Sequence, residues 1–174
     1  MNINPFKSAS RYAALTGLML ALALTLTALE STFSAFLPAG VRIGLANVAV
    51  LGTAVCVNIP TAFLITLLKS VFVLLTRGVS AGAMSICGGI AAFSVTALLL
   101  SKTRSSYVMI SVLSAISHII GQLAMASVLT GSAYTFYYAP LLIATGTASG
   151  FITGTVSGRV IPLLEKNLSA HRKQ

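Results

Sequence analysis

Only two acidic residues, Glu30 and Glu165, occur in 174 positions, and the apolar runs between the scattered charges are long enough to cross a bilayer several times. Hydrophobic residues make up 56% of the chain and charged residues 7%, where an ordinary soluble domain carries about 25% charged residues. No soluble core could hide that much apolar surface, so lipid is the solvent this chain is built for. Function then has to be read from the few polar groups left inside.

A bilayer core of roughly 30 Å takes about 20 apolar residues as helix. Breaks at charges, Pro and Gly divide the chain into six spans, at about 11–29, 43–57, 61–76, 79–100, 107–129 and 136–163. The predicted fold class is therefore all-α integral membrane, a single six-helix bundle over 1–174 with a charged, frayed tail at 164–174. Lys7 and Arg11 precede the first apolar run as in a signal peptide. Without a small-residue cleavage site followed by a soluble domain, that run reads as the first membrane helix. The second and third spans are short and joined only by Asn58, Ile59 and Pro60, so one broken or re-entrant hairpin is an alternative for them.

Basic residues set the orientation. With both termini cytoplasmic, Lys7, Arg11, Lys102, Arg104, Lys166, Arg172 and Lys173 fall inside, Arg159 lies near the inner end of the last helix, and Arg42 and Arg77 fall outside. The bias predicts an N-in, C-in protein of a cytoplasmic membrane. It also explains the net charge of +9 without nucleic acid, since these residues flank the spans instead of forming one patch.

Two stripes of small residues mark packing faces. Gly146, Gly150, Gly154 and Gly158 recur every fourth residue in the last span, which lets another backbone approach one helix face closely. Ala13, Gly17 and Ala21 form a weaker stripe on the first. Spacing alone leaves open whether each stripe meets a helix of the same chain, a second copy or a partner protein.

An ionisable group within a span costs about 2.5–3.5 kcal/mol on insertion scales, so each needs a partner, an aqueous cavity or a task. Lys69 lies about two turns below Arg77, in the third span. His118 and Gln122, four residues apart, share a face of the fifth span. Pro38 and Gly40 interrupt the stretch from Glu30 to Asn47, which brings Glu30, Arg42 and Asn47 to the outer mouth of the bundle. Tyr134, Tyr137 and Tyr138 fall at the same level, either as an interfacial aromatic belt or as neighbours of the mouth. The predicted pocket is Glu30, Arg42, Asn47, Lys69, Arg77, His118 and Gln122. Three cations against one carboxylate at that mouth favour an anionic or phosphate-bearing small molecule.

Catalytic equipment is missing. There is no GxxxxGK[ST] loop for nucleotide phosphates. The chain contains no Asp, so neither an Asp-rich magnesium site nor a Ser/His/Asp triad can form. Cys56 and Cys87 lie apart in apolar segments and read as small core residues. No metal site, no cofactor and no enzymatic activity are expected.

The string Pro38-Ala39-Gly40-Val41-Arg42-Ile43-Gly44-Leu45-Ala46-Asn47, preceded by Glu30, resembles the signature of a bacterial membrane family labelled both Gx transporter and heptaprenyl diphosphate synthase component I. Lys69, Arg77-Gly78, Gly88-Gly89 and the run Ser117 to Gln122 resemble its later blocks. That family is similar to the S components of energy-coupling factor (ECF) transporters, six-helix proteins that capture micronutrients and dock on a transmembrane coupling protein with two cytoplasmic ATPases. The resemblance implies that the face of Ala13, Gly17 and Ala21 meets such a coupling protein.

The leading expectation is an S-component-like substrate-binding subunit that takes a small, anionic micronutrient or cofactor-like molecule from the outer side. The first alternative is a non-catalytic membrane accessory subunit of prenyl diphosphate or quinone biosynthesis. A third is a channel-like homo-oligomer assembled through the glycine stripe of the last span.

Overall fold

The computed structural model describes residues 9–33, 44–103 and 105–170. Arg42 and the Pro38 to Gly40 break lie outside the described residues, as do Lys7, Arg104, Arg172, Lys173 and the side chain of Arg11. Six α-helices follow in order: α1 (Ala9–Phe33), α2 (Ala46–Cys56), α3 (Ile59–Arg77), α4 (Val79–Lys102), α5 (Tyr107–Thr130) and α6 (Ala139–Ala170), with a 3-10 helix (Ala133–Tyr138) before the last.

Local chemistry explains the boundaries. Asn58 starts α3 by accepting from the Thr61 N–H at 2.8 Å, and Pro60 sits in the first turn, where its missing N–H leaves no helical bond unmade. Gly78 at φ 89° makes the whole connection from α3 to α4, a conformation that side chains with a Cβ rarely adopt. Ser106 caps α5, and Gly131, left-handed at φ 62°, ends it.

Five stretches are long and apolar enough to cross a membrane: Tyr12–Phe33, Ile59–Arg77, Val79–Lys102, Tyr107–Thr130 and Ala133–Asn167. The distribution of side chains fits a multi-pass protein. Leu75, Val79, Val128 and Phe151 are more than 60% exposed, while Thr53, Ser70, Ser85 and Ser157 are fully buried. Large apolar groups point out to lipid and small polar ones in, the reverse of a soluble protein.

Two features depart from the sequence reading. The second helix has 11 residues, about 16 Å of helix, so by itself it is too short to cross. Eight of those residues are buried, and α2 is an internal helix of the bundle. At the other end, α6 continues to Ala170, where a frayed tail is expected from 164. Pro162 lies inside it. A helical proline crowds the residue four positions earlier, which here is Gly158, with nothing within 4 Å of where its Cβ would lie.

Below the end where α1, α3 and α5 finish, apolar side chains pack the interior around one small cavity. Met19, Ala23, Ala49, Val50, Ala54, Ala62 and Ile65 form one cluster, and Leu51, Cys56, Leu99, Ile110 and Ile161 a second. At that lower end the Tyr12 and Thr61 hydroxyls are hydrogen-bonded, tying α1 to α3.

The glycine stripe of α6 packs within the chain. A Cβ at Gly150 would lie 2.8 Å from Val112 Cα, and one at Gly154 2.6 Å from Val108 Cα. One at Gly146 would collide with Ile119 Cδ1. All three face α5, so a homo-oligomer built through this stripe has no free surface to use there; only Gly158 stands clear. Replacing Gly150 or Gly154 by Ala is expected to destabilise the bundle by about 1–3 kcal/mol through overpacking. Gly158→Ala is expected to be neutral or to stabilise by up to about 1 kcal/mol. Thermal unfolding of the purified variants in detergent should show the opposite signs.

Candidate functional site

A cleft opens at the end of the bundle where α1, α3 and α5 finish and α2, α4 and α6 begin. Its accessible volume is about 60 Å³, within a hollow that opens to the outside. Glu30, Asn47, Lys69, Arg77, His118 and Gln122 all line it. Six of the seven pocket residues expected from sequence are thus brought together from four helices, and the seventh, Arg42, lies outside the described residues.

Lys69 is the deepest charge. It is 7% exposed, and its Nζ donates to Asn47 Oδ1 at 3.0 Å. Asn47 reaches it from the first turn of α2, so the point at which α2 begins matters to the site. Both residues also line a smaller cavity beneath, walled by Val50, Leu51, Phe93 and Ile110. The Lys69 and Asn47 pair therefore forms part of the partition between the two spaces.

Glu30 and Arg77 tie the rim together. The Glu30 carboxylate accepts from the Gly44 N–H at 2.7 Å, joining the end of α1 to the segment that leads into α2. Arg77 Nη2 donates to the Ser31 carbonyl at 3.1 Å, joining α3 to the same end of α1. The bond that Glu30 makes to backbone gives it a role in holding the mouth in shape.

His118 and Gln122 enter from α5, and glycine sets their depth. A Cβ at Gly88 of α4 would stand 2.8 Å from the His118 carbonyl oxygen and 3.0 Å from ring atoms Cε1 and Nε2. Reciprocally, a Cβ at Gly121 would stand 2.7 Å from the Cys87 carbonyl oxygen. The two helices approach through these two positions, which seats the imidazole directly against α4. Gln122 is buried, one turn along the same face.

Other lining groups carry no sequence signal of their own. Thr27, Ser31, Ser85, Thr145 and Ser149 line the cleft, but hydroxyls of this kind occur throughout the chain and are indistinguishable by pattern. Ser85 is fixed by bonds with Ser70, whose Oγ donates to the Ser85 carbonyl at 3.2 Å while the two hydroxyls meet at 3.3 Å. Tyr134, Tyr137 and Tyr138 are well exposed on the 3-10 helix, with the first two rings stacked at 5.8 Å. They are not part of the cleft lining.

The small-residue stripe of α1 faces outward. Ala13, Gly17 and Ala21 are exposed, and nothing lies within 4 Å of where a Gly17 Cβ would be. Among the described residues no group of three or more His, Cys, Asp and Glu side chains gathers as a metal site would require.

An all-helical bundle of membrane-crossing length, with a polar cleft at one end that holds a buried lysine, defines a multi-pass membrane protein with a candidate binding cleft. Residues 19–160 match the family described as heptaprenyl diphosphate synthase component I, and the chain belongs to that family. No curated protein and no solved structure matches it.

The bond from Lys69 to Asn47 gives a direct test of the geometry. Asn47→Ala removes a hydrogen bond to a charged group, worth about 1.5–3 kcal/mol, and is expected to lower thermal stability in detergent accordingly. Asn47→Asp keeps the acceptor oxygen and is expected to retain most of it.

Proposed function

We propose that this protein is a non-catalytic membrane component whose cleft binds a small phosphate-bearing anion, working beside a separate soluble catalytic component of prenyl diphosphate synthesis. The observation that carries the ligand is the charge balance of the cleft: among the described lining residues two cations, Lys69 and Arg77, stand against one carboxylate, Glu30. A buried ammonium in a cleft of low dielectric attracts a phosphate far more strongly than the same group in water.

The family description supports the partner, since a component I implies another component. Prenyl transfer holds its diphosphates through magnesium and clustered carboxylates. A chain with no Asp and two Glu cannot supply them, which leaves catalysis to the partner and binding, delivery or membrane attachment to this subunit. The bias of the basic residues supports an orientation with both termini on the cytoplasmic side of a bacterial inner membrane and the cleft facing outward.

A second reading is favoured by one specific observation, the outward-facing stripe of Ala13, Gly17 and Ala21 on α1. Small residues on a lipid-exposed face are what a second membrane protein needs for close approach. In that reading the chain is an S component of an ECF transporter, capturing its anion from outside and relying on a coupling protein with two ATPases.

Tagged protein purified in mild detergent distinguishes the two. Recovery of a soluble Asp-rich synthase supports the biosynthetic reading; recovery of a coupling membrane protein with two ATPases overturns it in favour of transport. For the ligand, isothermal titration with inorganic phosphate is expected to show binding that weakens about tenfold to a hundredfold in Lys69→Ala, the equivalent of one charge-assisted hydrogen bond. Equal binding by both proteins would remove Lys69 from the site.

A further inference from the structure

The cleft has two unlike walls. Every charged group lining it among the described residues comes from α1 and α3, namely Glu30, Lys69 and Arg77. The wall contributed by α6 consists of Leu142, Thr145, Gly146 and Ser149, and α5 adds Ala115 and Ile119 beside it. The two hydroxyls on the α6 wall are engaged with their own helix. Thr145 Oγ1 donates to the Leu142 carbonyl at 2.9 Å, and Ser149 Oγ donates to the Gly146 carbonyl at 3.0 Å.

Such a wall offers little to an inorganic ion. What it can do is take an apolar group out of water, at about 0.8 kcal/mol per buried methylene. Ile119 and Leu142 of this wall pack with Leu123 in an apolar cluster. Space sets a second limit. The accessible volume of the cleft is about 60 Å³, and the bonded Lys69 and Asn47 pair stands between it and the smaller cavity. That limits an apolar body to a few carbons and leaves no room for a long polyprenyl chain.

We propose that the cleft recognises a short amphipathic anion, with its phosphate head at Lys69 and Arg77 and a compact apolar body against the α6 wall. This rests on the anion-binding reading above and adds the chemistry of the rest of the molecule. It makes Thr145 and Ser149 specificity-determining positions, since they decide how much room the body has without touching the head.

The test uses the full-length protein in lipid nanodiscs, titrated with inorganic phosphate and with butyl phosphate. Butyl phosphate is expected to bind at least about tenfold more tightly, the gain from burying two or more methylenes. Thr145→Leu and Ser149→Leu fill the α6 side and are expected to abolish that advantage while leaving phosphate affinity within about twofold, which also shows that each variant is folded. Equal affinity of the two probes for the wild-type protein overturns the proposal and leaves the anion site standing. The proposal is likewise overturned if both variants weaken the two probes equally. Binding of neither probe overturns the anion site itself.

Discussion

Close backbone approach at glycine is the contact on which the rest of this structure depends. Within a bilayer there is little hydrophobic drive between helices, so association has to come from packing at short range and from hydrogen bonds that lipid cannot replace. Gly88 and Gly121 bring α4 against α5, and Gly146, Gly150 and Gly154 bring α6 against a second face of α5. With α5 held on two faces, His118 and Gln122 acquire a fixed depth. Hydroxyl bonds such as Thr96 to Ser114, at 2.5 Å between α4 and α5, then lock the register.

The cleft exists because this packing is uneven along the bundle. Toward the Tyr12 end, apolar side chains of α1, α2 and α3 pack into a buried cluster. Toward the other end α2 begins at Ala46, and Glu30, Asn47, Lys69, Arg77, His118 and Gln122 line the cleft there. The first turn of α2 supplies Asn47, the acceptor for Lys69, the buried charge among the described residues.

Much of the candidate site was legible in the chain, for a reason particular to membranes. In a soluble protein Lys69, His118 and Gln122 would pass as ordinary surface residues. In a membrane span each is costly, so its presence marks the interior, and helical spacing says which residues share its face. That logic reaches Lys69 and the His118 and Gln122 pair from one sequence. It does not reach Thr145 or Ser149, because a hydroxyl can satisfy itself on its own helix and is cheap anywhere. Nor does it reach the seat that Gly88 makes for His118, because one glycine among fourteen carries no mark of what it faces. The stripe on α6 shows the same limit: its spacing announced a packing face, and only the fold named α5 as the neighbour.

By itself the sequence determined that this protein lives in lipid, that it is helical, and which residues are too polar to face hydrocarbon. These follow from composition and from the length of apolar runs, which the bilayer reads almost without regard to tertiary context. The tertiary structure decided that α2 is internal and short, that α6 runs on past Pro162, that Glu30 and Arg77 brace the rim through backbone groups, and that charged residues of α1 and α3 line one cleft with uncharged ones of α6. Those outcomes depend on which helix sits beside which. Contacts between residues far apart in the chain set that arrangement, and no local pattern records them.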